Sequence, residues 1–69
     1  MNAHLIARYR SDLEVALGFL RLKKSIKDMS EIRQARGVYV STVRLALPFD
    51  DARKLISDRF GRFVELRKV

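Results

Sequence analysis

The run of residues 38–47 limits the possible folds of this chain most, because it is dense in β-branched and aromatic residues and is followed by a proline. On a strand, alternate positions share a largely apolar face, formed by Tyr39, Ser41, Val43, Leu45 and Leu47. Pro48 lacks the backbone N–H that a strand needs to continue. The pattern therefore predicts a β-strand from Val38 to Leu47.

The residues after Pro48 predict an amphipathic helix and a second strand. Asp50 and Asp51 stand where the positive end of a helix dipole favours acids, and apolar residues then recur at three- and four-residue steps up to Gly61. Residues 62–69 alternate as a strand does. A crossover of about a dozen residues lets the two strands lie parallel and pair, with the helix on one face.

The first third of the chain reads as one long amphipathic helix, because apolar residues from Ile6 to Leu20 recur at helical spacing. Its start is open between Asn2 and Asp12, since residues 11–14, Ser-Asp-Leu-Glu, have the form of a capping box. Gly18 inside the helix marks either a close helix crossing or a tolerated substitution.

A second, short helix is predicted over residues 26–36. Ser25 and Asp28 repeat the Ser-x-x-acid pattern of a helix start, and Gly37 supplies a stop at the C-terminal end. The predicted fold is therefore α+β in one small domain, residues 1–69, with a long N-terminal helix, a short helix, then strand, helix and strand.

Residues 37–47, Gly-Val-Tyr-Val-Ser-Thr-Val-Arg-Leu-Ala-Leu, allow a different interpretation. They resemble the turn and recognition helix of the lactose-repressor family, whose usual run is close to G-V-S-V-S-T-V-S-R-A-L. The resemblance implies an all-α helix-turn-helix as the alternative fold, in which Ser41, Thr42 and Arg44 reach base edges or phosphates. Tyr39 stands where that family has a serine that caps the helix, so we favour the strand.

A second set of features runs from residue 35 to residue 66. It comprises an Ala-Arg-Gly run, a predicted strand followed by Ala-Leu-Pro-Phe-Asp, an amphipathic helix, a glycine and a Val-Glu-Leu strand. In this order the features resemble the C-terminal part of the delta subunit of ATP synthase. The resemblance implies a helix-strand-helix-strand order and a stator-like contact with another protein.

The charge of the chain is basic and uneven. Fifteen Lys and Arg residues stand against eight Asp and Glu, for a net charge of +7, and the excess lies in residues 21–36 and 53–69. Basic blocks attract polyanions without regard to sequence, although they also serve as a solvated surface. The candidate binding residues are Arg21, Lys23, Lys24, Lys27, Arg33, Arg36, Arg44, Arg53, Lys54, Arg59, Arg62, Arg67 and Lys68.

No residue pattern supports catalysis, so we expect neither an enzyme nor a cofactor. His4 is the only histidine, and we expect it on the surface of a frayed N-terminus. Acidic residues near the predicted helix starts are explained by capping, and no metal-ligand spacing or phosphate loop occurs. Tyr39 and Phe63 are candidates to stack on bases, although packing in a small core explains both aromatic residues as well.

Two functional hypotheses follow. The first is a small regulatory protein that binds DNA or RNA mainly through electrostatic contacts, as in transcription regulation. The second is a protein-interaction module, an adaptor, stator-like protein or inhibitor, that binds an acidic partner. A chain of 69 residues buries only about 60% of its unfolded surface, so we expect a homodimer through the first helix or a strand edge. Without cysteines or a long apolar run, it is expected in the cytoplasm, with no membrane span.

Overall fold

The computed structural model describes residues 1–69 and contains five strands and two helices. In chain order the elements are β1 (Asn2–Ala7), α1 (Arg10–Leu22), β2 (Ile26–Met29), β3 (Arg33–Ala35), β4 (Val38–Leu45), α2 (Phe49–Phe60) and β5 (Val64–Lys68). Neither helix has the length and apolar character needed to cross a membrane.

All strand pairs are antiparallel. The sheet order is β2-β4-β1-β5, and β3 pairs with β4 on the side that β2 also occupies. Strands β2 and β3 therefore act as one interrupted edge strand. Counted in this way, the chain runs β-α-β-β-α-β in the split arrangement called ferredoxin-like.

The predicted long N-terminal helix is wrong, because residues 2–7 form the strand β1 and the helix begins only at Arg10. The apolar positions Ile6 and Leu13 are compatible with helical spacing, but the residues of β1 that are buried are Ala3, Leu5 and Ala7. Two of these three residues are small alanines, so their alternation gave a weak apolar signal. The predicted capping box does not form, since no side chain caps the helix at its N-terminus.

The predicted short helix over residues 26–36 is also wrong, because this segment forms β2 and β3. Arg36 and Gly37 have φ angles of 52° and 81°, and Ala35 pairs with Val38. Two successive residues with positive φ between paired strands make a two-residue hairpin turn of the type I′ kind. Gly37 therefore belongs to a hairpin turn and does not terminate a helix.

Helix α1 ends in a Schellman motif that contains no glycine. The N–H of Lys24 donates to the carbonyl of Arg21 at 3.0 Å, and the N–H of Ser25 donates to the carbonyl of Leu20 at 2.9 Å. Lys24 has a φ of 55°, the left-handed conformation in which glycine is preferred. Ser25 is thus a buried residue of the helix exit and not the start of a second helix.

The strand predicted at residues 38–47 is present as β4, so the alternative helix-turn-helix fold is wrong. The helix and strand that follow are α2 and β5, as their patterns indicated. The predicted direct pairing of the two strands is wrong, because β1 lies between β4 and β5 and pairs with both. The predicted sheet contained strands from the C-terminal half of the chain only, so it had no strand to place between β4 and β5.

The hydrophobic core lies between the helices and one face of the sheet. Its members come from all the major elements, and the largest fully buried apolar side chains are Leu5, Leu13, Leu20, Val43, Ile56 and Val64. Phe19 of α1 and Phe60 of α2 meet edge to face, with ring centroids 5.7 Å apart. Gly18 does not mark a close crossing, since a Cβ there would meet no atom within 4 Å.

Candidate functional site

The sheet has one face covered by the helices and one face on which no element packs; we call the second the open face. The strand registers place Ile6 beside Val40 and Glu65, and His4 beside Thr42 and Arg67. Because side chains alternate along a strand, the positions between the core residues belong to the open face. They are Asn2, His4, Ile6, Asp28, Arg33, Ala35, Val38, Val40, Thr42, Arg44, Glu65 and Arg67.

A short apolar strip runs along the middle of the open face. It consists of Ile6 on β1 with Val38 and Val40 on β4. Val40 is only 8% exposed, yet it lies outside the core cluster between sheet and helices. Its neighbours on the open face therefore shield it, and these are Ile6 and Arg33 in the two flanking strands.

Three arginines from three different strands flank this strip. Arg33 lies on β3, Arg44 on β4 and Arg67 on β5, and all three are exposed. The guanidinium of Arg33 donates to the hydroxyl of Thr42 at 3.2 Å and to that of Ser30 at 3.4 Å. These two bonds direct the Arg33 side chain across β4, toward the centre of the open face.

Ser30 holds the edge strand together where β2 and β3 are interrupted. Its N–H donates to the carbonyl of Thr42 at 2.8 Å, and its hydroxyl accepts the N–H of Thr42 at 2.9 Å. The hydroxyl of Ser41 donates to the carbonyl of Ser30 at 2.9 Å. The side chain of Ser30 thus replaces a ladder bond and places the start of β3, with Arg33, beside β4.

Two of the three arginines are held by acids on the same face. Arg44 lies 3.2 Å from Asp28, and Arg67 donates to both carboxylate oxygens of Glu65, at 2.7 and 3.3 Å. The hydrogen bond and the charge of Glu65 raise the pKa of Arg67. Both pairs are more than half exposed, and exposed pairs of this kind contribute only about 0–1 kcal/mol. A phosphate therefore competes for these guanidinium groups at little energetic cost.

One end of the open face carries an exposed aromatic ring. Phe63 is the residue just before β5 and precedes Val64, which is buried in the core, so continuing the alternation of β5 by one residue places Phe63 at the end of the open face. Arg8 follows Ala7, the register partner of Val64, and so lies at the position next to Phe63. Packing does not explain Phe63, which is 68% exposed, whereas Tyr39 packs against the core from the covered face.

The other predicted cations lie away from the open face, and three of them contact rings. Lys23 and Arg59 lie over the ring of Phe19, at 5.8 and 5.6 Å from its centroid, and Lys68 lies over Phe49 at 5.3 Å. Cation–π contacts of this kind stabilise packing by about 0.5–1 kcal/mol at exposed sites. These three side chains thus have a structural use on the covered side of the sheet.

The remaining cations lie on separate parts of the surface. Arg21, Lys24 and Lys27 line a shallow groove between the end of α1 and β2, and Arg53 and Arg62 line another between α2 and β5. Lys54 is exposed on α2, and Arg36 occupies the hairpin turn. The two basic blocks of the sequence do not correspond to two surfaces of the fold.

Sequence reasoning missed His4 on the open face and Arg8 at its end. His4 is half-buried in the central strand of the sheet, so its assignment to a frayed N-terminus is wrong. Arg8 was outside both basic blocks and was not considered for binding. The alternation of Ala3, Leu5 and Ala7 was the available signal for both residues.

No group of three or more His, Asp or Glu side chains is arranged to hold a metal ion.

Comparison with known proteins places no further constraint on the site. The chain matches no protein-family model, no curated protein and no solved structure. The two family resemblances seen in the sequence are therefore neither supported nor excluded by these comparisons.

Proposed function

We propose that this protein binds nucleic acid through the open face of its sheet. The observation that carries the proposal is the presence of Arg33, Arg44 and Arg67, from three strands, on one face that no other element covers. Guanidinium groups bind phosphate oxygens through paired N–H donors. The apolar strip between them offers contact area to bases or sugars.

Charge supports this choice of ligand. The net charge is +7, and the arginines of the open face are balanced only by the exposed acids Asp28 and Glu65. Binding of a polyanion releases its condensed counterions, so the affinity is expected to fall steeply with salt. Regulation of transcription or of RNA through such contacts is the biological role we propose.

A protein partner is the second candidate, because β5 pairs with β1 alone and so leaves one edge free. An unpaired edge accepts a strand from another chain, either an acidic partner or a second copy of this one. Arg67 and Lys68 on that edge favour an acidic strand over a self-pairing basic one. A complex formed in this way should not depend on nucleic acid and should persist after nuclease treatment.

The nucleic-acid candidate is tested with a charge-matched pair of variants. One variant carries Arg33→Ala, Arg44→Ala and Arg67→Ala on the open face; the control carries Arg21→Ala, Arg53→Ala and Lys54→Ala on the helix side. Each loses three positive charges. Fluorescence anisotropy with a labelled oligonucleotide at about 50 and 200 mM salt gives the affinity and its salt slope.

The open-face variant is expected to lose at least about tenfold in affinity and to lower the salt slope by about two to three. The helix-side control should lose less than about threefold, since it changes only the general field. Equal losses in the two variants would move the site away from the open face. An unmodified protein that binds no oligonucleotide at about 50 mM salt would eliminate nucleic acid as the ligand.

A further inference from the structure

We infer that the open face takes single-stranded nucleic acid, with one base stacked on the ring of Phe63. This inference rests on the proposed function and specifies its ligand. Three features carry it: the width of the sheet, the charges at the helix starts, and the free ring of Phe63.

The open face is too wide to enter a groove of duplex DNA. Four strands side by side span three gaps of about 4.8 Å, or about 14 Å between the outer backbones. The major groove of B-DNA is about 12 Å wide and admits one helix or a two-stranded ribbon. A duplex therefore touches this face only through its phosphates, and the apolar strip remains unused.

The helices do not offer an alternative way to read a duplex. A recognition helix presents its N-terminal residues to the bases, next to the phosphate backbone. Here α1 carries Asp12 in its first turn, where Arg10 is paired with Glu14 at 3.7 Å, and α2 carries Asp50 and Asp51. These carboxylates repel phosphate, so neither helix start is suited to a groove.

Phe63 has the exposure and the free ring that stacking on a base requires. The rings of Phe19 and Phe49 each have a cation over them, whereas Phe63 has none. Its side chain is 68% exposed, and Arg8 follows the last residue of β1, Ala7, which pairs with Val64 beside Phe63. An unpaired base has a free π-face, so an exposed ring next to a guanidinium group is suited to an unstacked base and its phosphate.

The path from Phe63 continues along β5 to Arg67. Four residues of strand separate the two positions, or about 13–14 Å. The apolar strip lies on the next strands between them, with Ile6 beside Glu65. A single-stranded nucleic acid with one base stacked on Phe63 thus passes over the apolar strip. The phosphates of its next nucleotides then reach Arg67.

Substitution of Phe63 tests the stacking directly. Phe63→Leu keeps an apolar side chain but removes the ring, and it is expected to weaken binding of a single-stranded 12-mer by about fivefold to a hundredfold. Binding of a blunt duplex of the same sequence should not change. The matched control is Leu22→Ala, because Leu22 is an 86% exposed apolar residue at the end of α1. Thermal unfolding followed by circular dichroism verifies that both variants are folded.

A fluorescent reporter gives a second readout at the same position. The chain contains no tryptophan, so Phe63→Trp introduces the only one. Stacking of a base on this tryptophan should quench its emission on titration with single-stranded DNA or single-stranded RNA. Leu22→Trp is the control and should keep its emission. The strand that quenches half of the emission at the lower concentration identifies the sugar that the site prefers.

The outcomes separate this inference from the proposed function. Unchanged single-strand affinity of Phe63→Leu, an unquenched Phe63→Trp, or equal affinity for duplex and single strand would overturn the inference. In each case the salt-dependent contacts of the arginines would still stand as the nucleic-acid interface. A complete lack of oligonucleotide binding would instead overturn both.

Discussion

The two faces of strand β1 differ in what surrounds their side chains. Ala3, Leu5 and Ala7 lie against the helices and are almost fully buried, whereas Asn2, His4 and Ile6 alternate with them on the open face. Six consecutive residues thus supply half of their side chains to the core and half to a solvent-facing surface. Stability and binding are therefore separable in this protein by position along a single strand.

The cations of the two faces differ in the same way. On the covered side, Lys23, Arg59 and Lys68 lie over phenylalanine rings that belong to the core or pack against it. On the open face, Arg44 and Arg67 are paired with exposed carboxylates. An anionic ligand can take the place of the carboxylate that pairs with an arginine. It cannot take the place of a phenylalanine ring that is packed in the protein. The difference indicates which cations are available to a polyanion.

The largest expected effect is that of truncation on the covered face. Leu5→Ala should lower the free energy of unfolding by about 2–5 kcal/mol, because Leu5 is completely buried and its removal leaves a cavity. The total stability of a domain of this size is about 3–10 kcal/mol. The substitution is therefore expected to remove a large share of the total stability, which urea denaturation measures as a lower midpoint.

Ile6→Ala, one residue along the strand, is the matched variant on the open face. Ile6 is only half-buried and lies outside the core, so the expected cost is about 1 kcal/mol or less. The same variant should weaken oligonucleotide binding, since it interrupts the apolar strip. Equal losses of stability at Leu5 and Ile6 would contradict the distinction between the faces.

A smaller effect is expected when an acid is removed from the open face. Glu65→Gln frees the guanidinium of Arg67 and removes a charge that repels phosphate, so oligonucleotide affinity should rise by about threefold to tenfold at low salt. Fluorescence anisotropy measures the change, which should shrink as salt screens the charge.

Glu14→Gln is the control for this gain in affinity. It changes the net charge by the same amount and removes the pair between Arg10 and Glu14 on α1, at 3.7 Å. Its effect on affinity should be less than about twofold, because these groups lie on α1, on the covered side of the sheet. A gain as large as that of Glu65→Gln would show that overall charge, and not the open face, governs binding.

The sequence predicted those parts of the fold whose local signals agree with the tertiary structure. Strand β4, helix α2 and strand β5 have clear alternation or helical spacing and a proline or glycine at their boundaries. Strand β1 was missed because its inward residues include Ala3 and Ala7, which are too small to stand out. Without this central strand, neither the order of the sheet nor the existence of an open face was predictable.

The site was predictable only as a list of charges. Arg33, Arg44 and Arg67 were among thirteen candidates, and nothing along the sequence separates them from the cations that contact rings. Their common feature is that the pairing of β3, β4 and β5 within the sheet places all three on the same face. Phe63 was identified as an aromatic candidate, but its exposure depends on its place just before β5. The open face is defined by the pairing of β-strands that are distant in the sequence. Composition does not encode this pairing.

The smallest expected effects concern two cations in the left-handed conformation, one on each side of the molecule. Arg36 in the hairpin turn has a φ of 52°, and Lys24 at the end of α1 has a φ of 55°. Arg36→Asn provides the residue preferred in a type I′ turn, and Lys24→Gly provides the usual residue of a Schellman motif. Each should raise the free energy of unfolding by about 0.5–1 kcal/mol in urea denaturation, because asparagine and glycine adopt the left-handed backbone conformation at a lower cost. Gly37→Ala, at a φ of 81°, is the opposite control and should destabilise the same turn.

Since neither Arg36 nor Lys24 lies on the open face, the two stabilised variants should keep their oligonucleotide affinity within about twofold. A larger loss would extend the binding surface around the edge of the sheet.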